Sequence, residues 1–254
     1  MDTLQHNKNI IEQFSKQAAA YTSLPAHSNA LELLTKIAAV SNSDEVLDLA
    51  CGSGLVSCEF AKHAKHVTGI DITAEMIEQA KLLQSKMKLQ NINWKVENVQ
   101  PLSFQDDSFS IVVTRFSFHH FIDPQQVLAE MIRVCKPNGH VMVVDVALPE
   151  EKVDAYNVME TLRDRSHSKA LSTDEFDSLF RTSGLSNIKI AYYLMEIELE
   201  SQLAASFPEP GDKEKLKNLI LADIGIDNLG VNARSENGKV MLTYPIYIYT
   251  GFKK

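Results

Sequence analysis

The fold of this chain is decided by the stretch EVLDLACGSGL, residues Glu45–Leu55. A short apolar run carries an acidic residue near its end, two glycines follow, and a helix-forming segment comes next. This order is typical of a buried parallel strand, a tight loop and a helix N-terminus. Because glycine lacks a Cβ atom and tolerates positive φ, such a loop lets a ligand approach the backbone closely. The stretch therefore predicts a site for the nucleotide half of a cofactor.

A second acidic anchor follows at the end of the next apolar run, Val67–Asp71. Asp71 comes about 20 residues after the first acid, the spacing expected for a carboxylate that accepts hydrogen bonds from ribose hydroxyls. The competing interpretation makes Asp71 a helix cap. It is disfavoured because Thr73 already occupies the capping position of the next helix.

Strand and helix patterns alternate as far as residue 146, which predicts a parallel sheet covered on both faces. The strands are expected at 45–49, 67–71, 91–96, 111–114 and 140–146. Residues 147–171 are expected to form one helix and a loop, and a capping box at Ser172 begins another helix. A sixth strand is expected at 188–195 and a last one at 244–252, with one helix and a polar loop between them.

We therefore expect one α/β domain over residues 1–254, built on a seven-stranded, mostly parallel Rossmann-like sheet whose final strand is antiparallel. Residues 1–40 would form a helical lid, with helices at about 9–21 and from Ser28 onward. Residues 41–146 would form the cofactor-binding core, and residues 147–254 the substrate-side half with inserts that complete the lid.

Composition narrows the class of protein and its partners. The chain has 254 residues, a net charge of −8 and 44% hydrophobic residues, which is ordinary globular composition and gives no basic field for nucleic acid. Cys51, Cys58 and Cys135 lack the spacing of a metal site or disulfide framework. The N-terminus does not have the layout of a signal peptide, and no apolar run reaches the length of a membrane span. We expect a cytoplasmic protein, either a monomer or a homodimer.

Several motifs in the right order resemble class I S-adenosylmethionine-dependent methyltransferases. Val46–Gly54 is similar to the first motif of that family and Gly69–Asp71 to the second. Three later stretches, 107–112, 115–121 and 128–139, are similar to later motifs. The resemblance covers about residues 40–146 and is closest to the branch of ubiquinone and menaquinone C-methyltransferases and small-molecule methyltransferases.

The resemblance implies S-adenosylmethionine as cofactor and S-adenosylhomocysteine as product. The positions that it implies for cofactor binding are Asp48, Ala50, Gly52, Gly54, Asp71, Ile72, Met76, Asn98, Val99, Thr114 and Arg115. Ala50 replaces the first glycine of the family loop, and Asn98 replaces the acid that receives the adenine amino group, with Glu97 as its alternative. Asp48 either contacts the cofactor or braces the loop. Arg115 either orients an acidic group or forms an exposed ion pair.

The resemblance also places the loop after the fourth strand beside the transferred methyl group. His119 and His120 lie on this loop and are the predicted catalytic residues, since a neutral imidazole can accept a proton. His120 is slightly preferred as the base, and a purely structural role is the alternative. The predicted substrate contacts are Phe14, Tyr21, Tyr156, Met159, Arg163 and His167. A core-facing helical stripe explains Tyr156 and Met159 equally well. Arg163, Arg165 and His167 either receive a carboxylate or phosphate or form a solvated face.

The leading hypothesis is a methyltransferase acting on an O, N or C nucleophile of a small molecule. A nicotinamide-dependent oxidoreductase is the second class, although the third glycine of its fingerprint falls at Ser57 here. A protein that binds S-adenosylmethionine without methylating is the third. No metal is expected.

Overall fold

A single eight-stranded sheet organises the protein in a computed structural model that describes residues 3–254. Its order is β3-β2-β1-β4-β5-β8-β6, and β7 pairs with β8. The strands are β1 Glu45–Leu49, β2 His66–Asp71, β3 Ile92–Val96, β4 Phe109–Arg115, β5 Cys135–Val146, β6 Ser186–Glu198, β7 Arg234–Glu236 and β8 Lys239–Phe252. Strands β1 to β5 pair in parallel, and β8 runs antiparallel to its neighbours.

Nine α-helices are described, and they cover both faces of the sheet. They are α1 Thr3–Ser23, α2 Leu31–Ala38, α3 Leu55–Ala61, α4 Ala74–Met87, α5 Pro124–Val134, α6 Glu150–Arg163, α7 Thr173–Thr182, α8 Leu199–Ser206 and α9 Asp212–Ala222. One core cluster includes side chains of α2, α3 and α9, and the other includes side chains of α5 and α7. This confirms the predicted α/β architecture.

Two helix starts have side-chain caps, and the one at Ser172 is the capping box that the sequence predicts. Asp123 accepts a hydrogen bond from the backbone N–H of Gln126, and Pro124 fills the first turn of α5. Ser172 and Glu175 form a reciprocal capping box at the start of α7. These caps fix the residues at which the two helices begin.

The structure corrects three local predictions. Ser28 lies in a 3-10 turn, Pro25–Ser28, and α2 begins at Leu31 after Ala30 in the left-handed region. The segment between β6 and β8 holds two helices, α8 and α9, where one was expected. It also holds the short strand β7, which brings the strand count to eight. A three-residue strand gives too short a pattern for sequence periodicity to reveal.

The parallel order brings the carboxyl ends of β1, β2, β3, β4 and β5 to one edge of the sheet. Helix α1 crosses this edge and contacts α4 and α8. Ligands of open α/β sheets bind at this edge, where the strand order reverses. Of the helices in residues 3–254, none has the length and apolar character needed to cross a membrane.

Candidate active site and its two adjoining cavities

The first cavity has a volume of about 850 Å³ and lies at the carboxyl edge of the sheet. Its floor comes from the loops after β1, β2, β3 and β4, and its outer wall comes from α1. The residues that line it are Thr3, His6, Asn7, Ile10, Phe14, Tyr21, Ala50, Gly52, Asp71, Ile72, Met76, Asn98, Val99, Gln100, Arg115, Phe116, Ser117, His120, Phe121 and Ile122. Eight of the eleven predicted cofactor positions are in this wall.

Asp71 is the buried carboxylate of this cavity, with 7% of its surface exposed. Its Oδ2 accepts the backbone N–H of Gly52 at 2.9 Å, and its Oδ1 accepts the backbone N–H of Thr73 at 2.8 Å. Burial raises the pKa of Asp71, and these hydrogen bonds oppose the rise. Each oxygen keeps a further lone pair for a ligand hydroxyl.

The same hydrogen bonds change the predicted roles of Asp71 and Thr73 at the start of α4. Thr73 lies at the N-cap position of this helix, as the sequence predicts, but its side chain makes no capping hydrogen bond, and its backbone N–H donates to Asp71. Asp71 therefore braces the loop and the helix start while it faces the cavity. The two interpretations of Asp71 do not exclude each other.

Ala50 and Gly52 form the tight bend after β1, with φ of 48° and 53°. A Cβ atom added at Gly52 would meet open space, so the positive φ is what favours glycine there. Gly54 lies outside the cavity wall. A Cβ there would come within 2.7 Å of Trp94 and 2.8 Å of Ala80, so this glycine serves the packing of α3 against α4 and β3.

Three apolar side chains, Ile72, Met76 and Val99, line the cavity together with the amide of Asn98. Asn98 Oδ1 accepts the backbone N–H of Gln100 at 3.3 Å, which orients its side chain. Glu97 instead accepts the backbone N–H of Ser103 and pairs with Lys95. The structure thus places Asn98, and not Glu97, at the cavity.

These groups fit the adenosyl group that the motifs imply. The lone pairs left on Asp71 match a ribose diol, the apolar walls match a purine ring, and the Asn98 amide can both donate to and accept from a purine edge. The side-chain-free bend at Gly52 admits a ligand close to the backbone.

Asp48 and Thr114, two further predicted cofactor contacts, lie beneath the cavity wall. Asp48 is 1% exposed and accepts the Ser57 hydroxyl at 2.5 Å. Burial raises the pKa of Asp48 to about 7, although the Ser57 bonds lower it. Thr114 is fully buried and donates to the carbonyl of Leu49. The structure therefore supports the loop-brace interpretation of Asp48 and a bracing role for Thr114.

Arg115 lies in the cavity wall, 8% exposed, and holds the segment that follows α1. Its Nη1 donates to the carbonyl of His27 at 2.6 Å, and its Nη2 donates to the carbonyl of Asn29 and the hydroxyl of Tyr193, each at 3.1 Å. Its Nε is buried and has no partner within residues 3–254. Arg115 is thus not the exposed ion pair that one sequence interpretation proposed.

The second cavity adjoins the first and has a volume of about 650 Å³. It is lined by Phe14, Gln17, Tyr21, Leu24, His27, Phe116, His119, His120, Asp145, Val146, Tyr156, Glu160, Arg163, Asp164, Met195, Gln202, Ala205, Ser206, Tyr244 and Ile246. Phe14, Tyr21, Phe116 and His120 line both cavities. The two cavities therefore adjoin at these four side chains.

His119 and Asp145 form a buried pair at the second cavity. His119 Nδ1 lies 2.7 Å from Asp145 Oδ1. Asp145 also accepts the backbone N–H groups of Phe118 at 2.7 Å, His119 at 3.3 Å and Val146 at 2.7 Å. Burial lowers the pKa of His119, but the charge and hydrogen bond of Asp145 outweigh it and leave the pKa above its usual value.

His120 lies in the wall shared by the two cavities. Its Nδ1 donates to the carbonyl of Ser166 at 2.9 Å, and its own carbonyl accepts from His6 Nε2 at 2.6 Å. Burial and the neighbouring charge of His119 lower the pKa of His120 to about 4. A neutral ring is therefore expected at physiological pH.

Of the predicted substrate contacts, Phe14, Tyr21, Tyr156 and Arg163 line the second cavity. Met159 does not, because its side chain is fully buried in the core. His167 is turned toward Asn157 Oδ1, 2.7 Å from its Nε2. These two are corrections to the sequence prediction.

The basic side chains near residue 165 do not converge on an anion site. Arg163 donates through Nε and Nη2 to Glu160 Oε2, at 2.8 and 2.5 Å. Arg165 forms ion pairs with Glu12 and Glu209. The predicted carboxylate or phosphate site is therefore absent from the described residues 3–254.

Sequence reasoning missed the acidic and hydroxyl groups of the second cavity. Asp145 is the penultimate residue of β5, and Asp71 is the last residue of β2, so an acid at the carboxyl end of a strand was a usable signal. Glu160, Gln202 and Tyr244 come from α6, α8 and β8 and meet at the Tyr244 hydroxyl. Because these three residues are far apart in the sequence, no local pattern predicted this cluster.

The methyltransferase domain model matches residues 47–143 of the chain. The uncharacterized methyltransferase YcgJ of Bacillus subtilis is 31% identical over 206 residues, which cover 80% of this chain and 81% of that protein. The crystal structure of YcgJ has a TM-score of 0.80 at 24% identity and covers 90% of this chain and 98% of that one.

Two further proteins are similar to the chain. The ubiquinone/menaquinone biosynthesis C-methyltransferase UbiE of Bdellovibrio bacteriovorus is 34% identical over 54% of this chain and 61% of its own length. Phosphoethanolamine N-methyltransferase 2 of Haemonchus contortus, solved with S-adenosyl-L-methionine, shares the fold with a TM-score of 0.64 at 15% identity, over 88% of this chain and 51% of that one. The chain belongs to the class I S-adenosylmethionine-dependent methyltransferase family, and it is an enzyme that uses this cofactor.

Proposed function

We propose that the enzyme methylates a small molecule held in the second cavity while the first cavity holds S-adenosylmethionine. The observation that carries this proposal is the wall shared by the two cavities, formed by Phe14, Tyr21, Phe116 and His120. Aromatic side chains with a few polar groups line the second cavity, as in many small-molecule sites. The similarity to UbiE, a ubiquinone/menaquinone biosynthesis C-methyltransferase, supports a small-molecule acceptor.

In the first cavity Asp71 would accept the ribose hydroxyls, and Asn98 would meet the purine edge between Ile72, Met76 and Val99. The bound cofactor supplies an electrophilic methyl group and its own leaving group. The protein's task is to orient the acceptor and to exclude water. The cover provided by α1 serves that task, and His120 in the shared wall is buried.

We propose His119 as the general base, in place of His120. His119 Nδ1 is held by Asp145, so its Nε2 carries the free lone pair at the second cavity. His120 donates its Nδ1 proton to a backbone carbonyl and serves as part of the wall. The raised pKa of His119 strengthens it as a proton acceptor.

Tyr21 and Phe14 would pack against the acceptor from the lid. His6 and Gln17 hold this lid in place, because His6 bonds the carbonyl of His120 and Gln17 bonds the carbonyl of Ser206 at 2.9 Å. These bonds position the aromatic side chains relative to His119.

The test is release of S-adenosylhomocysteine over a library of small-molecule acceptors. We expect turnover with some acceptors, a loss of at least about a hundredfold in kcat for His119→Ala, and a smaller loss for the matched variant His120→Ala. Both variants should keep the affinity for S-adenosylhomocysteine. Equal losses, or full activity of His119→Ala on an acceptor that needs a base, would contradict the assignment.

A further inference from the structure

The second cavity has an unusual balance of charge for its size. Its carboxylates are Asp145, Glu160 and Asp164, and Arg163 is the one arginine or lysine in its described wall. Negative charges exceed positive ones by two when His119 is neutral and by one when it is protonated. The other nearby cation, Arg115, faces the first cavity and is bonded to the carbonyls of His27 and Asn29.

Arg163 is already neutralised within the protein. Two of its nitrogens donate to one oxygen of Glu160, and Nη1 lies 3.3 Å from the Ser206 hydroxyl. The side chain of Glu160 is 3% exposed and that of Arg163 is 17% exposed, so solvent screens this pair little. An anionic acceptor would find this guanidinium occupied.

Asp164 is the remaining carboxylate, and among the described residues no histidine or arginine side chain forms an ion pair with it. It accepts the backbone N–H and hydroxyl of Ser166 and the side-chain amide of Gln17, and each of these donors is neutral. Hydrogen bonds of this kind favour the ionised carboxylate. Burial raises the pKa of Asp164, but the charges of His120 and Arg163 and the Ser166 hydrogen bonds outweigh it and lower the pKa, so Asp164 carries a negative charge at the cavity.

Aromatic side chains make up much of the remaining wall: Phe14, Tyr21, Phe116, Tyr156 and Tyr244. The Arg115 guanidinium already lies over the Phe116 ring, 4.1 Å from its centroid, which leaves the other four rings. Aromatic rings and a net negative cavity both favour a cation.

We propose that the acceptor is an organic amine that enters the second cavity as its ammonium ion. This inference rests on the proposed function and narrows its substrate class. His119 Nε2 takes one proton from the ammonium, and the freed nitrogen lone pair forms the new N–C bond. The C–S bond breaks with its electron pair going to sulfur, so S-adenosylhomocysteine leaves neutral and the methylated nitrogen carries the positive charge.

Binding of three matched probes tests the proposal without any turnover. They are 2-phenylethylamine, 2-phenylethanol and phenylacetate, titrated by calorimetry into the full chain saturated with S-adenosylhomocysteine. The proposal expects the amine to bind at least about tenfold tighter than the alcohol, with the carboxylate weakest. An alcohol that binds as tightly as the amine, or a carboxylate that binds tightest, overturns it.

The variant Glu160→Gln gives a second test of the amine preference, because it removes the carboxylate that pairs with the Arg163 guanidinium. We expect the preference for amine over phenylacetate to fall by about tenfold or more, with unchanged affinity for S-adenosylhomocysteine as the control for folding. If none of the probes binds the wild-type chain at millimolar concentration, the amine class is contradicted. The methyltransferase assignment is then unaffected, since it fails separately if S-adenosylhomocysteine does not bind.

Discussion

The variant Asp71→Ala removes a carboxylate that braces the loop after β1 and that we propose as the acceptor for the ribose hydroxyls. Each carboxylate oxygen accepts one backbone N–H and keeps a lone pair for one ribose hydroxyl. A hydrogen bond to a charged group contributes about 1.5–3 kcal/mol, and water entering the vacated space recovers part of the two bonds. We therefore expect a loss of about 2–3 kcal/mol, or roughly 30- to 150-fold in the Kd of S-adenosylhomocysteine.

Asp48→Asn is the matched control for this experiment. Asp48 is another buried carboxylate at the same edge of the sheet, but it lies beneath the cavity and accepts the Ser57 hydroxyl. An Asn side chain retains an acceptor for that hydroxyl, so the affinity should change less than about threefold. Both affinities are measured by isothermal titration calorimetry, with thermal unfolding of each variant as the check on folding.

Two results would refute this reasoning. An unchanged affinity in a folded Asp71→Ala protein would show that the ribose binds elsewhere. Equal losses in both variants would show that the effect passes through the stability of the loop and not through contact with the ligand.

Three further predictions concern pH and stability. Asp145→Asn removes the charge that raises the pKa of His119, so the rise of kcat/KM with pH should shift to lower pH; an unshifted profile would exclude His119 as the base. Burial raises the pKa of Asp48 to about 7 in the folded state, so the carboxyl keeps its proton there at a pH where the unfolded chain has lost it. The free energy of unfolding of the wild type, relative to that of Asp48→Asn, should therefore fall by about 4 kcal/mol between pH 4 and 8 in denaturant titrations. A difference that stays constant with pH would contradict this. Burial lowers the pKa of His27 and His120 to about 4, so their contribution to stability is present above pH 6.5 and should be lost as the pH falls toward 4; His27→Gln should flatten that acid loss.

The first half of the fold was predictable because its signals are local. The run Glu45–Leu49, the bend at Gly52 and the acid at Asp71 lie close in sequence, and parallel strands bring their carboxyl ends together. These local signals therefore identified Ala50, Asp71 and Met76, which line the first cavity.

The same local signals misjudged residues whose roles depend on neighbours distant in sequence. Gly54 matches the cofactor motif, but contacts with Ala80 and Trp94 explain it. Thr73 matches a capping pattern and lies at the N-cap position, but its side chain forms no hydrogen bond to a helix N–H. Met159 shares a helical face with Tyr156, yet its side chain faces the core.

The second cavity was the least predictable part. Its polar groups come from α6, α8, β5 and β8, and their meeting depends on the antiparallel return of β8 beside β5. The choice of His119 over His120 as the proposed base depends on the position of Asp145, because adjacent histidines have the same sequence signal.

A crystal structure of the full chain with S-adenosylhomocysteine tests the central claim most directly. The account predicts the adenosyl group in the first cavity, the ribose hydroxyls within hydrogen-bond distance of Asp71, and the sulfur facing the wall formed by Phe14, Tyr21, Phe116 and His120. A ligand bound elsewhere, or a ribose that does not touch Asp71, would contradict it.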